Sequence, residues 1–289
     1  MELQIEQFLQ QDFTEATRLS YRFGLSRFSQ WIKQTRSNPA KLNQSGFRDF
    51  LCEQKTWNHN SRYSAYCAVR SYLRWKYGGQ HPALRFKLKR GKTPPQRSLD
   101  RNQLTNLIKS IDNSTPHGVR NLAMICLMSD TGLRAIEICR LYTKYVKIEQ
   151  RSLNVYSKGS RWETAVFSLP TAQYLEEWVY VRSIVLRGMN VSDPQTMFFG
   201  IGGRTPGRPM TPCGMRDIFE RLAEQAGIGR FSPHDLRRTF TTLALQAGAS
   251  TRIVQCAGRW SDIRLVERYS PKISARDMEP YFPVNQVVG

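Results

Sequence analysis

Between residues 14 and 33 the chain reads TEATRLSYRFGLSRFSQWIK, with Leu19, Leu25, Phe28, Trp31 and Ile32 recurring among polar positions. That spacing predicts an amphipathic helix. A second helical stretch, QSGFRDFLCEQK, follows. A third, NSRYSAYCAVRSYLRWKYGG, carries Tyr66, Val69 and Leu73 on one stripe before Gly78 and Gly79 end it. The pattern predicts a helical domain over residues 1–85. In RFKLKRGKTPPQRSLDR, residues Arg85, Lys87, Lys89, Arg90, Lys92, Arg97 and Arg101 oppose Asp100 alone, and Pro94-Pro95 stiffens the middle. Charge and proline favour extension over packing, which predicts an interdomain linker over residues 86–98.

Beyond the linker, Ser98 and Asp100 open a helix at RNQLTNLIKSI. The apolar helix GVRNLAMICLMSD stops at Thr131-Gly132, and the short helix LRAIEICRL follows. Residues 145–170 alternate polar and apolar positions around turn signals, which predicts a small antiparallel sheet with Lys158-Gly159 at a hairpin tip. Helices resume at TAQYLEEWVYVRSIVLRG, after Cys213, and from His234 onward. The expected fold is therefore mainly α, with a small antiparallel β-sheet in a C-terminal domain over residues 99–289. That domain ends in a short apolar docking tail, residues 270–289.

Length and charge sharpen this picture. A chain of 289 residues is long enough for two domains with sizeable cores. Forty-three Lys and Arg against 23 Asp and Glu give a net charge of +20, and the isoelectric point is near 10.1. With 40% hydrophobic residues the chain is a folded basic protein and not a basic tail. Such a charge selects a polyanion, and nucleic acid is the default. Arg62, Arg70, Arg74 and Lys76 on the third helix, with Lys87, Lys89, Arg90 and Lys92 after it, are the candidate DNA-binding residues; for the helix, a solvated face is the equally open reading. The six cysteines (52, 67, 126, 139, 213 and 256) form no CxxC pair and no metal-ligand spacing, and the four histidines are scattered. No metal and no cofactor is expected. The N-terminus is not a signal peptide, and no run of about 18 apolar residues occurs, so no membrane association and a cytoplasmic location are expected.

One stretch points to chemistry. In FSPHDLRRTF, Ser232 suits an N-cap, Pro233 the first helical position and Asp235 the capping-box acid. A helix start favours an anion through its free N–H groups and its dipole. His234 and Arg237, three residues apart, share one face of the first turn. Taken alone, these residues read as a phosphate seat or as an ordinary capped surface helix.

Four segments, TGLRAIEICRL, YSKGSRWETAVFSLP, HDLRR and AGRWSDIRLVERY, stand in an order and spacing that resemble the tyrosine site-specific recombinases, the lambda-integrase family. The resemblance covers nearly the whole chain. It implies two domains clamped around duplex DNA and strand cutting and rejoining through a covalent 3′-phosphotyrosine and a Holliday junction, without ATP or metal. It also implies short inverted-repeat core sites and a homotetramer on two DNA sites, cyclically joined by the tail. Because the helical domain begins near residue 1, no further arm-binding domain is expected. By the same resemblance Arg134, Lys158, His234, Arg237, Trp260 and Tyr269 are the catalytic set, with Glu137 supporting Arg134. Rivals remain: Arg161 for Lys158, Arg238 for Arg237, Tyr281 for Tyr269, and a simple core role for Trp260. Tryptophan stands at position 260 where most members carry histidine, which moves acid–base work onto His234 and Lys158. The expected use is integration or cointegrate resolution for a mobile element. The alternatives are a Xer-type chromosome or plasmid dimer resolvase, a type IB topoisomerase, or a catalytically idle DNA-binding regulator on the same scaffold.

Overall fold

The computed structural model describes residues 3–91, 97–157, 161–203 and 206–269. The chain divides into two units, Met1–Pro94 and Pro95–Gly289, each with its own core. The first unit holds α1 (Ile5–Leu9), α2 (Glu15–Thr35), α3 (Gln44–Glu53) and α4 (His59–Tyr77). Side chains of Thr14, Asn43 and Asn58 cap the last three of these. Helix α2 packs on α4, and Leu25, Phe28, Trp31 and Ile32 of the first and Tyr66, Val69, Tyr72 and Leu73 of the second are buried in the core of this unit. Leu19 is the exception: it is 59% exposed. It stands about two and a half turns before Phe28, so it lies on the opposite face of the helix.

The stretch expected to begin the linker at residue 86 starts inside this unit. Phe86 and Leu88 pack on the helical core, and Tyr66 Oη donates to the Phe86 carbonyl at 3.1 Å. Arg70 donates to the Leu84 and Phe86 carbonyls at 2.6 and 3.2 Å, which holds the segment down. Alternate apolar residues anchor it while Lys87, Lys89 and Arg90 stay exposed.

The second unit contains α5 (Arg101–Ser110), α6 (Pro116–Thr131), α7 (Ala135–Cys139), strands β1 (Val146–Lys147), β2 (Ser152–Ser157) and β3 (Arg161–Val166), α8 (Leu169–Met189), α9 (Pro212–Gln225), α10 (Pro233–Gln246), α11 (Thr251–Ala257) and α12 (Arg264–Glu267). The strands form one antiparallel sheet in the order β1-β2-β3, with Ser157 paired to Arg161 at the hairpin end. Helix α6 is apolar nearly all round, with Leu122 to Met128 buried, as a helix covered on every side must be. It packs on α8 and α10. Asp130 near its end accepts bonds from the Ser168 N–H and hydroxyl and from the Thr171 hydroxyl, at 2.9, 2.6 and 2.6 Å, tying that end to the start of α8. Of the cysteines, Cys126 and Cys139 are buried, while Cys52, Cys213 and Cys256 are exposed.

Gly132 ends α6 in the left-handed conformation, φ +59°, and a Cβ there would lie 2.7 Å from the Phe240 ring of α10. Glycine at this position is what allows α6 to stop and α10 to come close. Gly132→Ala should cost about 1–3 kcal/mol, read from the urea midpoint by circular dichroism. Gly79→Ala, with nothing within 4 Å, should leave that midpoint unchanged.

Candidate active site

The turn after α6 carries Arg134, the residue before α7. Glu137, in the first turn of α7, accepts from the Arg134 backbone N–H at 2.8 Å with one carboxylate oxygen and from its guanidinium at 2.6 Å with the other. The carboxylate is buried, while the Arg134 side chain keeps 34% of its surface exposed. Arg134 is thus anchored from inside and open outward.

Helix α10 begins as its sequence predicts. The Ser232 hydroxyl accepts from the Asp235 N–H, and the Asp235 carboxylate accepts from the Ser232 N–H at 2.8 Å. That box fixes the register of the first turn and so places His234 and Arg237. Arg237 is 1% exposed. Its guanidinium donates to the Gly132 carbonyl and, at 2.6 Å, to the Gly258 carbonyl, and it lies 4.1 Å from the centre of the Trp260 ring. Arg238, the rival to Arg237, is bound to Asp235 at 2.7 Å and is committed to the cap.

Arg134, Ala135, Ile136, Pro212, Pro233, His234 and Arg237 line a cleft of about 320 Å³. The cleft brings α7, α9 and α10 together at their N-terminal ends. Burial pushes the Arg237 pKa down to about 9, helped by the Arg134 and Arg259 charges, with Glu137 and Glu163 opposing. Arg237 therefore stays cationic at neutral pH. His234 keeps an accessible edge but is held below the ordinary imidazole pKa, chiefly by partial desolvation and then by Arg238 and Arg237. It is neutral at pH 7 and able to accept a proton.

Nε of Arg237 and Nε1 of Trp260 are buried and have no hydrogen-bond partner among the described residues. Buried N–H groups without acceptors are costly, and a ligand that offers only acceptors removes the cost. A phosphodiester is such a ligand.

Tyr269 follows α12, half-buried, with its N–H on the Val266 carbonyl at 2.9 Å. Helix α12 packs on α11, and α11 on α10, so the tyrosine is carried by the same group of helices as His234. Lys158, and the rival tyrosine Tyr281, lie outside the described residues. Among the candidate DNA-binding residues Arg74, Lys76, Lys87, Lys89 and Arg90 are exposed, whereas Arg62 and Arg70 are half-buried, and Lys92 is outside the described residues.

Sequence reasoning missed Arg259. It is buried, adopts φ +54°, and reaches the same carboxylate as Arg134, with Nη2 3.8 Å from Glu137. The only signal was an arginine inside the AGRW turn, and no periodicity marks a residue in such a turn as buried.

Comparison with known proteins gives the family and the fold. Residues 97–275 match the phage integrase family. Tyrosine recombinase XerC of Lactobacillus leichmannii is 30% identical over 176 residues, 60% of this chain, and the match spans 58% of that relative's length. Tyrosine recombinase XerD of Pseudomonas putida is 27% identical over 281 residues, covering 93% of this chain and 91% of the relative. The fold is similar to that of XerH site-specific recombinase bound to palindromic difH substrate, with a TM-score of 0.73 at 17% identity, over 93% of this chain and 80% of that one.

The lowered His234 pKa has a measurable sign. Its protonation is weaker in the folded than in the unfolded chain, so its contribution to stability is full above the unfolded imidazole pKa and is lost as pH falls through the folded one. An NMR titration should place His234 below about 6.5. Arg238→Ala should move the titration upward by removing the cation that lowers it most.

Proposed function

This chain belongs to the phage integrase family, and from that membership and the geometry of its cleft we propose a site-specific DNA recombinase that cuts and rejoins strands through a covalent 3′-phosphotyrosine. The observation that carries the reading is the gathering of Arg134, His234, Arg237 and Trp260 with buried N–H donors that lack acceptors among the described residues.

The proposed chemistry balances. The Tyr269 oxygen attacks the scissile phosphorus and its proton passes to neutral His234. Negative charge grows on the non-bridging oxygens, where Arg134 and Arg237 offer forked donors that stay charged. The Trp260 indole N–H serves a phosphate oxygen. The bond to the 5′ oxygen breaks, and Lys158 supplies the proton that oxygen needs. The 5′ hydroxyl of another strand then attacks the phosphotyrosine and gives its proton to Lys158, while His234 returns a proton to the departing tyrosine oxygen. One phosphodiester is exchanged for another through an ester that keeps the bond energy, so the cycle requires no ATP.

The duplex is held by charge. Arg74, Lys76, Lys87, Lys89 and Arg90 are the exposed cations proposed to contact phosphates, with Arg62 and Arg70 shaping the surface beneath them. Short inverted-repeat core sites and a homotetramer on two DNA sites complete the proposal, with residues 270–289 joining neighbouring protomers. We assign the activity to integration or resolution for a mobile element. The XerC and XerD names of the relatives favour a second reading, dimer resolution.

The test is covalent trapping. The chain is incubated with fragmented DNA from its source, denatured, and its protein-linked ends sequenced. Adducts at one recurrent sequence are expected, absent from Tyr269→Phe although that variant binds DNA as before. Arg237→Ala should slow adduct formation roughly 100- to 1,000-fold. Adducts that persist in Tyr269→Phe would overturn the reading, and supercoil relaxation without site preference would favour a topoisomerase.

A further inference from the structure

Two buried arginines hold the same pair of turns. Arg237 binds the carbonyls of Gly132 and Gly258. Arg259 binds the carbonyls one residue earlier on each side, Thr131 at 3.2 Å and Ala257 at 2.9 Å. The first turn leads to Arg134 and the second carries Trp260.

The position of Arg259 is costly on two counts. Its backbone is at φ +54°, in the left-handed region that favours glycine. Its side chain is 2% exposed, and Nε has no partner among the described residues. Burying a cation is unfavourable unless a carboxylate faces it. Here that carboxylate is Glu137, at 3.8 Å, which is also bonded to Arg134. Glycine would remove the backbone cost and the charge cost together. An arginine kept under both constraints needs a reason beyond packing.

Resting on the recombinase reading above, we infer that Arg259 is a positioning residue of the strand-transfer site. It gives Glu137 a second cation, so the carboxylate stays fixed while the exposed edge of Arg134 turns toward the phosphate. It also clamps the 131 turn to the 257 turn, holding Trp260 against Arg237. Because its guanidinium is buried, Arg259 acts through these groups and does not touch DNA.

Arg259→Gly suits the test because glycine accepts the backbone angle and deletes only the cation. On the DNA fragment recovered by covalent trapping, the variant should unfold near the wild-type midpoint and bind within about twofold of wild type. Its single-turnover adduct formation should be roughly 10- to 100-fold slower. Guanidinium chloride at sub-denaturing concentration should restore part of the rate, and sodium chloride of equal concentration should not. Arg259→Lys, which keeps a cation, should fall between the two. Adduct formation by Arg259→Gly at the wild-type rate would overturn the inference. So would a loss that neither guanidinium nor lysine relieves, since that is the mark of a merely structural residue. Tyr269→Phe is run alongside. If the wild-type chain forms no adduct, or Tyr269→Phe forms one, the recombinase reading itself fails and the role of Arg259 falls with it.

Discussion

The structure of the site depends on one buried guanidinium. Arg237 reaches from α10 to the carbonyls that end α6 and α11, and the Trp260 ring covers its face. Turns are poor places to fix a side chain, because few contacts restrain them. A fork of donors with fixed geometry overcomes that weakness, since each N–H removes the freedom of one carbonyl. Groups that share one hydrogen-bond network are coupled, so the arrangement behaves as a unit.

The same guanidinium links construction to chemistry. Its burial makes the cleft poor in water-like screening, which strengthens any attraction to an anion. The neighbouring carboxylates, Glu137 and Glu163, offset part of the mutual repulsion among Arg134, Arg237 and Arg259; Glu137 is buried, and Glu163 is bonded to Arg161. The cleft is thus assembled cationic and, among the described residues, short of acceptors, as the proposed phosphodiester chemistry requires.

Much of this was legible in the sequence, for identifiable reasons. The Ser232–Pro233–Asp235 cap is a local device, and local chemistry fixed where α10 starts and which residues share its first turn. The same holds for the α6 stop at Gly132 and for the alternation of the three strands. Leu19 misled because a count of apolar residues ignores phase; the half-turn offset from Phe28 puts it in solvent. Phe86 and Leu88 misled because charge was read as a linker while alternate apolar residues packed down. Arg259 was invisible because its partners, Thr131 and Glu137, lie far away in sequence and only the fold brings them together. The stacking of Trp260 on Arg237 was not legible, since ring and guanidinium come from different elements.

The central claim is that this cleft delivers a phosphate to Tyr269. Mass spectrometry of a tryptic digest of the protein–DNA adduct tests it most directly. Trypsin cleaves after Arg268 and Lys272, so the residue in question leaves in the peptide of residues 269–272, while Tyr281 leaves in residues 277–289. The account predicts a nucleotide on Tyr269 in the first peptide and an unmodified second peptide. A nucleotide on the peptide containing Tyr281, or on any other residue, would contradict it.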